Sequence, residues 1–207
     1  MTKIVTMLED GRFIGEQVVS KLSDLCLGIE IAGSIRRGKP LVNDVEIVAL
    51  PKHRGTLLAR VDGLVIKRVI RKAVYGEAKT ERWGDKYRGF YLRGHDTNIE
   101  LFIGDEHNIG SLLWLRTGPG DSNQLLMSLM IRYGSPYRAK DGDWWHGNKK
   151  ISVPTEKTLF DLWGMPYLDP KDRTEENYQK YLGKRKWGEV EAYAPAEHQP
   201  QAQMSMF

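Results

Sequence analysis

The stretch Gly33-Ser34-Ile35-Arg36-Arg37, followed by Gly38-Lys39-Pro40-Leu41-Val42-Asn43 and then Asp44-Val45-Glu46-Ile47-Val48, constrains this chain more than any other. The apolar run from Val45 to Leu50 reads as a buried strand. Asp44 and Glu46 are two residues apart, so on a strand their side chains point to one face. Two carboxylates side by side repel unless a cation lies between them. Upstream, a Gly-Ser turn can present backbone N–H groups, and two arginines suit phosphate oxygens. Hard oxygen ligands beside phosphate-binding groups describe a Mg²⁺ site for phosphoryl or nucleotidyl transfer.

Taken singly, an acidic pair on a strand is an ordinary solvated face, and Gly-Ser before arginines is an ordinary surface turn. Their order and spacing are what carry information. The stretch resembles the family X DNA polymerases, the polymerase beta group of the nucleotidyltransferase superfamily. That family has Gly-Ser-x-Arg-Arg, a short loop, and Asp-x-Asp on a strand. The match departs at Glu46, where the family has a second Asp.

The rest of the chain reads as alternating helices and strands. Apolar residues at 14, 18, 22 and 25 have helical spacing, and Gly28 to Ala32 reads as a short strand. Thr56 to Arg60 suggests a short helix and Leu64 to Ile70 a β-branched strand, with Arg68, Arg71 and Lys72 as a basic edge. That edge is either a charged, protected strand margin or a contact to a nucleic-acid backbone. A turn and strand at Gly84 to Leu92 is loosely similar to a palm strand of the family. Asn98 to Ile103 alternates, which puts Glu100 on the face opposite Ile99, Leu101 and Ile103.

Leu112 to Gln124 resembles the family's Thr-Gly-x-x-x-x-Asn segment, with Thr117, Gly118 and Asn123 in register. Asp121 and Gln124 have capping-box spacing for the helix that follows, which Gly134 ends. Asp141-Gly142-Asp143 reads as a hairpin turn before Trp144-Trp145-His146, where the His reads as packing rather than a ligand. Thr155 opens another helix. Phe160-Asp161-Leu162-Trp163 and Pro170 to Arg173 resemble the segment that closes the family's thumb.

The resemblance, over about residues 10 to 175, implies an α+β fold. A nucleotidyltransferase palm with a mixed sheet spans residues 1–105, and a small α/β thumb spans 106–188. The motif begins too early for the domains that precede the palm in larger members. The expected form is the minimal palm-plus-thumb build of a compact viral member. It implies a template-directed DNA polymerase that fills short gaps in repair. Asp44, Glu46 and Glu100 would hold two Mg²⁺ ions, with Mn²⁺ able to substitute. Gly33, Ser34, Arg36, Arg37, Asn43, Thr117, Gly118 and Asn123 would bind the dNTP, with Arg36 orienting the site. Leu115 and Arg116 stand where the family has the aromatic pair that bars ribonucleotides, and Gln124 and Met127 replace basic template-side residues. Two other classes remain open: a nucleotidyltransferase acting on RNA, a small molecule or a protein, and a catalytically weak DNA- and clamp-binding module.

Charge is consistent with a polyanionic partner. The tail from Glu189 holds three of the 27 acidic residues and none of the 31 Lys and Arg, so residues 1–188 carry +7. Ala192 to Gln203 is rich in Ala, Pro and Gln and reads as a flexible linker within a tail spanning 189–207. It ends in Gln203-Met204-Ser205-Met206-Phe207, which looks like a bacterial sliding-clamp-binding peptide. Gapped or primed DNA, a dNTP and a sliding clamp are the expected partners of a monomer. One Cys excludes an internal disulfide, and no signal peptide or membrane span is evident, so a cytoplasmic protein is expected.

Overall fold

Among the described residues the buried apolar side chains gather into three clusters, and their placement explains where a site can form. The computed structural model describes residues 5–140 and 142–182. In chain order they form β1 (Thr6–Met7), α1 (Leu8–Leu22), β2 (Cys26–Ile31), the single turn α2 (Gly33–Arg36), β3 (Leu41–Val42), β4 (Asp44–Pro51) and α3 (Arg54–Ile66). Then come β5 (Ile70–Lys72), β6 (Val74–Tyr75), β7 (Thr80–Glu81), β8 (Tyr87–Leu92), β9 (Asn98–Ile103), α4 (Ile109–Thr117) and α5 (Gly120–Arg132). The remainder is β10 (Tyr137–Lys140), β11 (Asp143–His146), β12 (Lys149–Ile151), α6 (Glu156–Leu162) and α7 (Glu175–Leu182). No helix among the described residues is long and apolar enough to cross a membrane.

The main sheet has the strand order β2-β4-β9-β8-β5. Only β4 and β9 run parallel within it; the other pairs are antiparallel. Val45, Ile47 and Ala49 of β4 and Ile99, Leu101 and Ile103 of β9 point to one face, where Ile14, Val18 and Leu22 of α1 and Leu57 and Val61 of α3 cover them. Each such side chain contributes roughly 1.5–3 kcal/mol when fully buried. The opposite face is divided. Val48 and Phe102 lie beneath Ile109 and Leu113 of α4, whereas Asp44, Glu46 and Glu100 lie beyond that cover on the same face. Alternation sends these residues to one face, and the cover of α4 over Val48 and Phe102 divides it into a dry half and an acidic half.

The C-terminal elements enclose a second core, in which Trp114, Trp144 and Trp163 meet edge to face at 5.1–6.4 Å between centroids. Trp114 Nε1 donates to Tyr178 Oη at 3.1 Å, which ties α4 to α7.

Several expectations are corrected. Leu64 to Ile70 is not one strand. The helix α3 continues to Ile66, the chain turns with Arg68 at φ 55°, and strand begins only at Ile70. Buried Leu57 and Val61, with Leu64 and Val65 packed on the same core, make a helical stripe that outweighs β-branched propensity. The basic edge is largely paired within the chain: Arg71 meets Asp96 at 3.2 Å and stacks on Tyr91, and Lys72 meets Glu81 at 2.8 Å. Asp121 and Gln124 do not form a capping box. The helix α5 starts at Gly120 with Pro119 as N-cap, so Asp121 lies inside the first turn. Thr155 does cap α6, its hydroxyl accepting from Thr158 N at 3.1 Å. His146 is exposed and touches Tyr137. Gln203, Met204, Met206 and Phe207 lie outside the described residues.

Candidate active site

Parallel pairing of β4 with β9 sets Asp44 opposite Asn98 and Glu46 opposite Glu100. Neighbouring strands lie about 4.8 Å apart, so the two glutamates leave the sheet side by side. The Glu46 carboxyl is pushed up to about 7, chiefly by burial and then by Asp44, with Glu100 adding to it. Arg116 and Arg37 oppose that rise. Each glutamate is in contact with the chain around it. Glu46 folds against the Cα of Gly33, and Oε1 of Glu100 accepts from the Tyr87 hydroxyl at 2.8 Å.

As arranged, no group of three or more acidic, His or Cys side chains among the described residues is close enough to hold a metal ion. The donor chemistry nevertheless fits a hard divalent cation. Three carboxylates share one face, and two of them, Asp44 and Glu100, add to the rise that burial causes at the third, Glu46.

The arginines that follow the Gly33-Ser34 turn divide their work. Arg37 Nη1 donates to the Thr117 carbonyl, while its Nε is buried without a partner. Burial lowers the Arg37 pKa, with Glu46 the largest opposing charge. Arg36 is held by side chains of α4 and α6. Its guanidinium donates to Glu156 Oε1 and to the Thr117 hydroxyl, both at 2.8 Å, and meets Glu156 Oε2 at 2.8 Å and Glu30 at 3.4 Å. Those contacts engage it at the junction of α2, α4 and α6. Ser34 is half-buried on α2, and Asn43 is exposed just before β4.

Thr117 is fully buried and accepts from Arg36, so its hydroxyl supports the site from beneath. Gly118 has φ +67° and lies against the Arg37 guanidinium. Asn123 Nδ2 donates to the Leu115 carbonyl at 3.3 Å, and its Oδ1 is buried with no partner. A cavity of ≈ 720 Å³ brings Arg37, Glu46, Arg116, Gly118, Asn123 and Met127 onto one wall system. A second, ≈ 370 Å³, is bordered by Glu100, Tyr87, Lys86, Arg82 and Arg116.

Sequence reasoning missed four participants. Arg116 stacks 3.8 Å above the Phe102 ring and is the largest charge opposing the rise at Glu46. Tyr87 holds Glu100, and Tyr75 lies 3.0 Å behind Tyr87. Glu156 sits 5% exposed beneath Arg36, Arg173 and Tyr167. Period-two facing could have flagged Tyr87, but only once β8 was known to lie beside β9.

No family model matches the chain. It is 25% identical over 185 residues to DNA polymerase lambda of Arabidopsis thaliana, an alignment covering 77% of this chain and 33% of that protein. The chain thus spans about a third of the length of that curated relative. Among solved structures it is similar to the crystal structure of Leishmania infantum polymerase beta in a ternary P/T complex. That likeness has a TM-score of 0.61 at 16% identity and covers 83% of this chain and 77% of the other. The fold of this chain is similar to that of polymerase beta.

Proposed function

We propose that this chain is a template-directed DNA polymerase that transfers a nucleotidyl group from a dNTP to a primer 3′-OH and fills short gaps in repair. The observation that carries the proposal is the β4–β9 register, which sets Glu46 beside Glu100 with Asp44 on the same face, and Glu46 borders the cavity that Arg37 also lines. Asp44, Glu46 and Glu100 are the residues that would hold two Mg²⁺ ions, or Mn²⁺. Bound there, the ions would lower the pKa of the primer hydroxyl and support the leaving pyrophosphate.

The chain's own groups bind and orient. Ser34 and Arg37 hold the triphosphate, with Asn43 at the entrance to the acidic strand. Arg36 fixes Thr117 from below. Gly118 and Asn123 border the space for sugar and base, where the buried Asn123 amide oxygen awaits a donor. The N-terminal elements to residue 105 act as a palm and those from 106 as a thumb. A monomer suffices, because one chain supplies every group named. The tail residues Gln203, Met204, Met206 and Phe207 serve as a tether to a sliding clamp: apolar anchors for a greasy pocket and an amide to set register.

The test is extension of a gapped duplex by each dNTP separately, in Mg²⁺ and in Mn²⁺. Template-matched incorporation, faster in Mn²⁺ and lost in Asp44→Ala and Glu100→Ala, is the expected result. One preferred nucleotide whatever the template would point to a nucleotidyltransferase of another substrate class. DNA binding with no incorporation would point to a binding module. Removing residues 203–207 should leave extension of a short oligonucleotide intact and lower it only on DNA carrying a clamp.

A further inference from the structure

Glu100 is gripped by a hydroxyl chain. The Tyr87 hydroxyl donates to Glu100 Oε1 at 2.8 Å, and Asn98 Nδ2 approaches the same oxygen at 3.4 Å. The Tyr87 proton is thereby engaged, so across the 3.0 Å separation its oxygen accepts from Tyr75. The Tyr75 hydroxyl also donates to Asn98 Oδ1 at 3.3 Å, so its one proton is shared between the two acceptors. Hydrogen bonds in such a series strengthen one another. No described residue donates to Oε2 of Glu100.

The backbone makes room for this chain of hydroxyls. In the β8–β9 ladder Gly89 is the residue opposite Glu100. A β-carbon at Gly89 would overlap the Tyr75 hydroxyl, so glycine there is what lets Tyr75 reach across the strand. The Tyr87 ring is itself steadied against Phe102, at 5.0 Å between centroids. A glutamate carboxylate has one more free torsion than an aspartate and swings over a wider arc. Fixing one of its oxygens removes that freedom.

We propose that Tyr87, backed by Tyr75, is a positioning residue that fixes Oε1 of Glu100 and leaves Oε2 as the oxygen offered to a divalent cation shared with Asp44 and Glu46. The proposal rests on the metal-binding role given to these acids under the proposed function. It also bears on residue choice. An aspartate at position 100 would be shorter by about 1.5 Å and would lose the Tyr87 hydroxyl.

The test measures Mn²⁺ binding to the full chain without DNA or nucleotide, by the electron paramagnetic resonance signal of free Mn²⁺. Wild type is compared with Tyr87→Phe, Tyr75→Phe, Glu100→Asp and Glu100→Gln. Tyr87→Phe keeps the ring contact with Phe102, and an unchanged thermal midpoint checks that it folds. It is expected to weaken Mn²⁺ binding about tenfold. Tyr75→Phe should weaken it about threefold, by removing one neutral hydrogen bond of the series. Glu100→Asp should resemble Tyr87→Phe, and Glu100→Gln should mark the floor. Incorporation by Tyr87→Phe should then recover as Mn²⁺ is raised. Wild-type Mn²⁺ affinity in Tyr87→Phe, with Glu100→Gln impaired, would overturn the positioning role alone. Equal binding in wild type and Glu100→Gln would overturn the metal role of Glu100 itself, and this proposal with it.

Discussion

The Glu46 carboxylate lies against the Cα of Gly33, where a β-carbon would overlap its Oε2. Gly33 also has φ +64°, a left-handed conformation that other residues adopt at a cost. One glycine therefore serves two ends: it starts α2 and leaves room for the Glu46 carboxylate. Gly33→Ala should destabilise the fold by about 1–2 kcal/mol from the backbone alone. Displacement of Glu46 should lower incorporation by between about tenfold and 100-fold. Urea unfolding and single-nucleotide extension check the two effects separately.

The raised Glu46 carboxyl predicts a pH dependence of stability in the absence of divalent ions. Its pKa rises from 4.5 to about 7 because of burial and the neighbouring Asp44 and Glu100. The folded state then holds a proton that the unfolded state releases. This contribution to stability is full below about pH 4.5 and is lost as pH rises through about 7. Urea unfolding in a chelator should show a decline of roughly 2–3 kcal/mol between pH 5 and pH 8. Glu46→Gln should flatten that decline. Saturating Mg²⁺ or Mn²⁺ should also flatten it, since a bound cation replaces the proton.

Glu156 is the keystone of the junction between the two cores. Burial by itself would raise its carboxyl, but hydrogen bonds from Arg173 and Arg36 bring it below the usual carboxylate range. Arg173 is 1% exposed and donates to Glu156 Oε1 at 2.6 Å. Glu156→Gln would leave the Arg173 guanidinium without its counter-charge and Arg36 with Glu30 at 3.4 Å, and should cost about 3–5 kcal/mol in urea unfolding. Activity should fall with it, since Arg36 holds the Thr117 hydroxyl while Arg37 holds the Thr117 carbonyl.

Cys26 should be chemically silent while the chain is folded. Its thiol is pushed up to about 11, first by burial and then by Asp24, with Lys52 opposing. At pH 8 a disulfide reagent should modify the native protein about 100-fold more slowly than an ordinary thiol, the ratio expected from the thiolate fraction. Denatured protein should react at the ordinary rate, with the release of thiolate chromophore as the readout.

Much of the fold was legible because period and facing are written locally. The alternation through Val45, Ile47 and Ala49, and through Ile99, Leu101 and Ile103, marked two strands and their buried faces. Helix spacing marked α1, and a threonine marked the start of α6. The misreading of Leu64 to Ile70 arose where a short apolar run suits either structure and packing on Leu57 and Val61 decided. The capping box failed because a start shifted by two residues, with Pro119 as N-cap, moves Asp121 from the cap into the turn.

The sequence alone determined that Asp44 and Glu46 share a face, because side chains alternate along a strand whatever lies beside it. It determined likewise that Glu100 faces away from the core. Only the tertiary structure decided that the faces coincide, because strand pairing, not chain order, sets Glu46 opposite Glu100. The same holds for the grip of Tyr87 on Glu100 and of Glu156 on Arg36. A hydrogen bond requires its donor within about 3 Å of its acceptor, and for residues far apart in the chain folding alone supplies that distance.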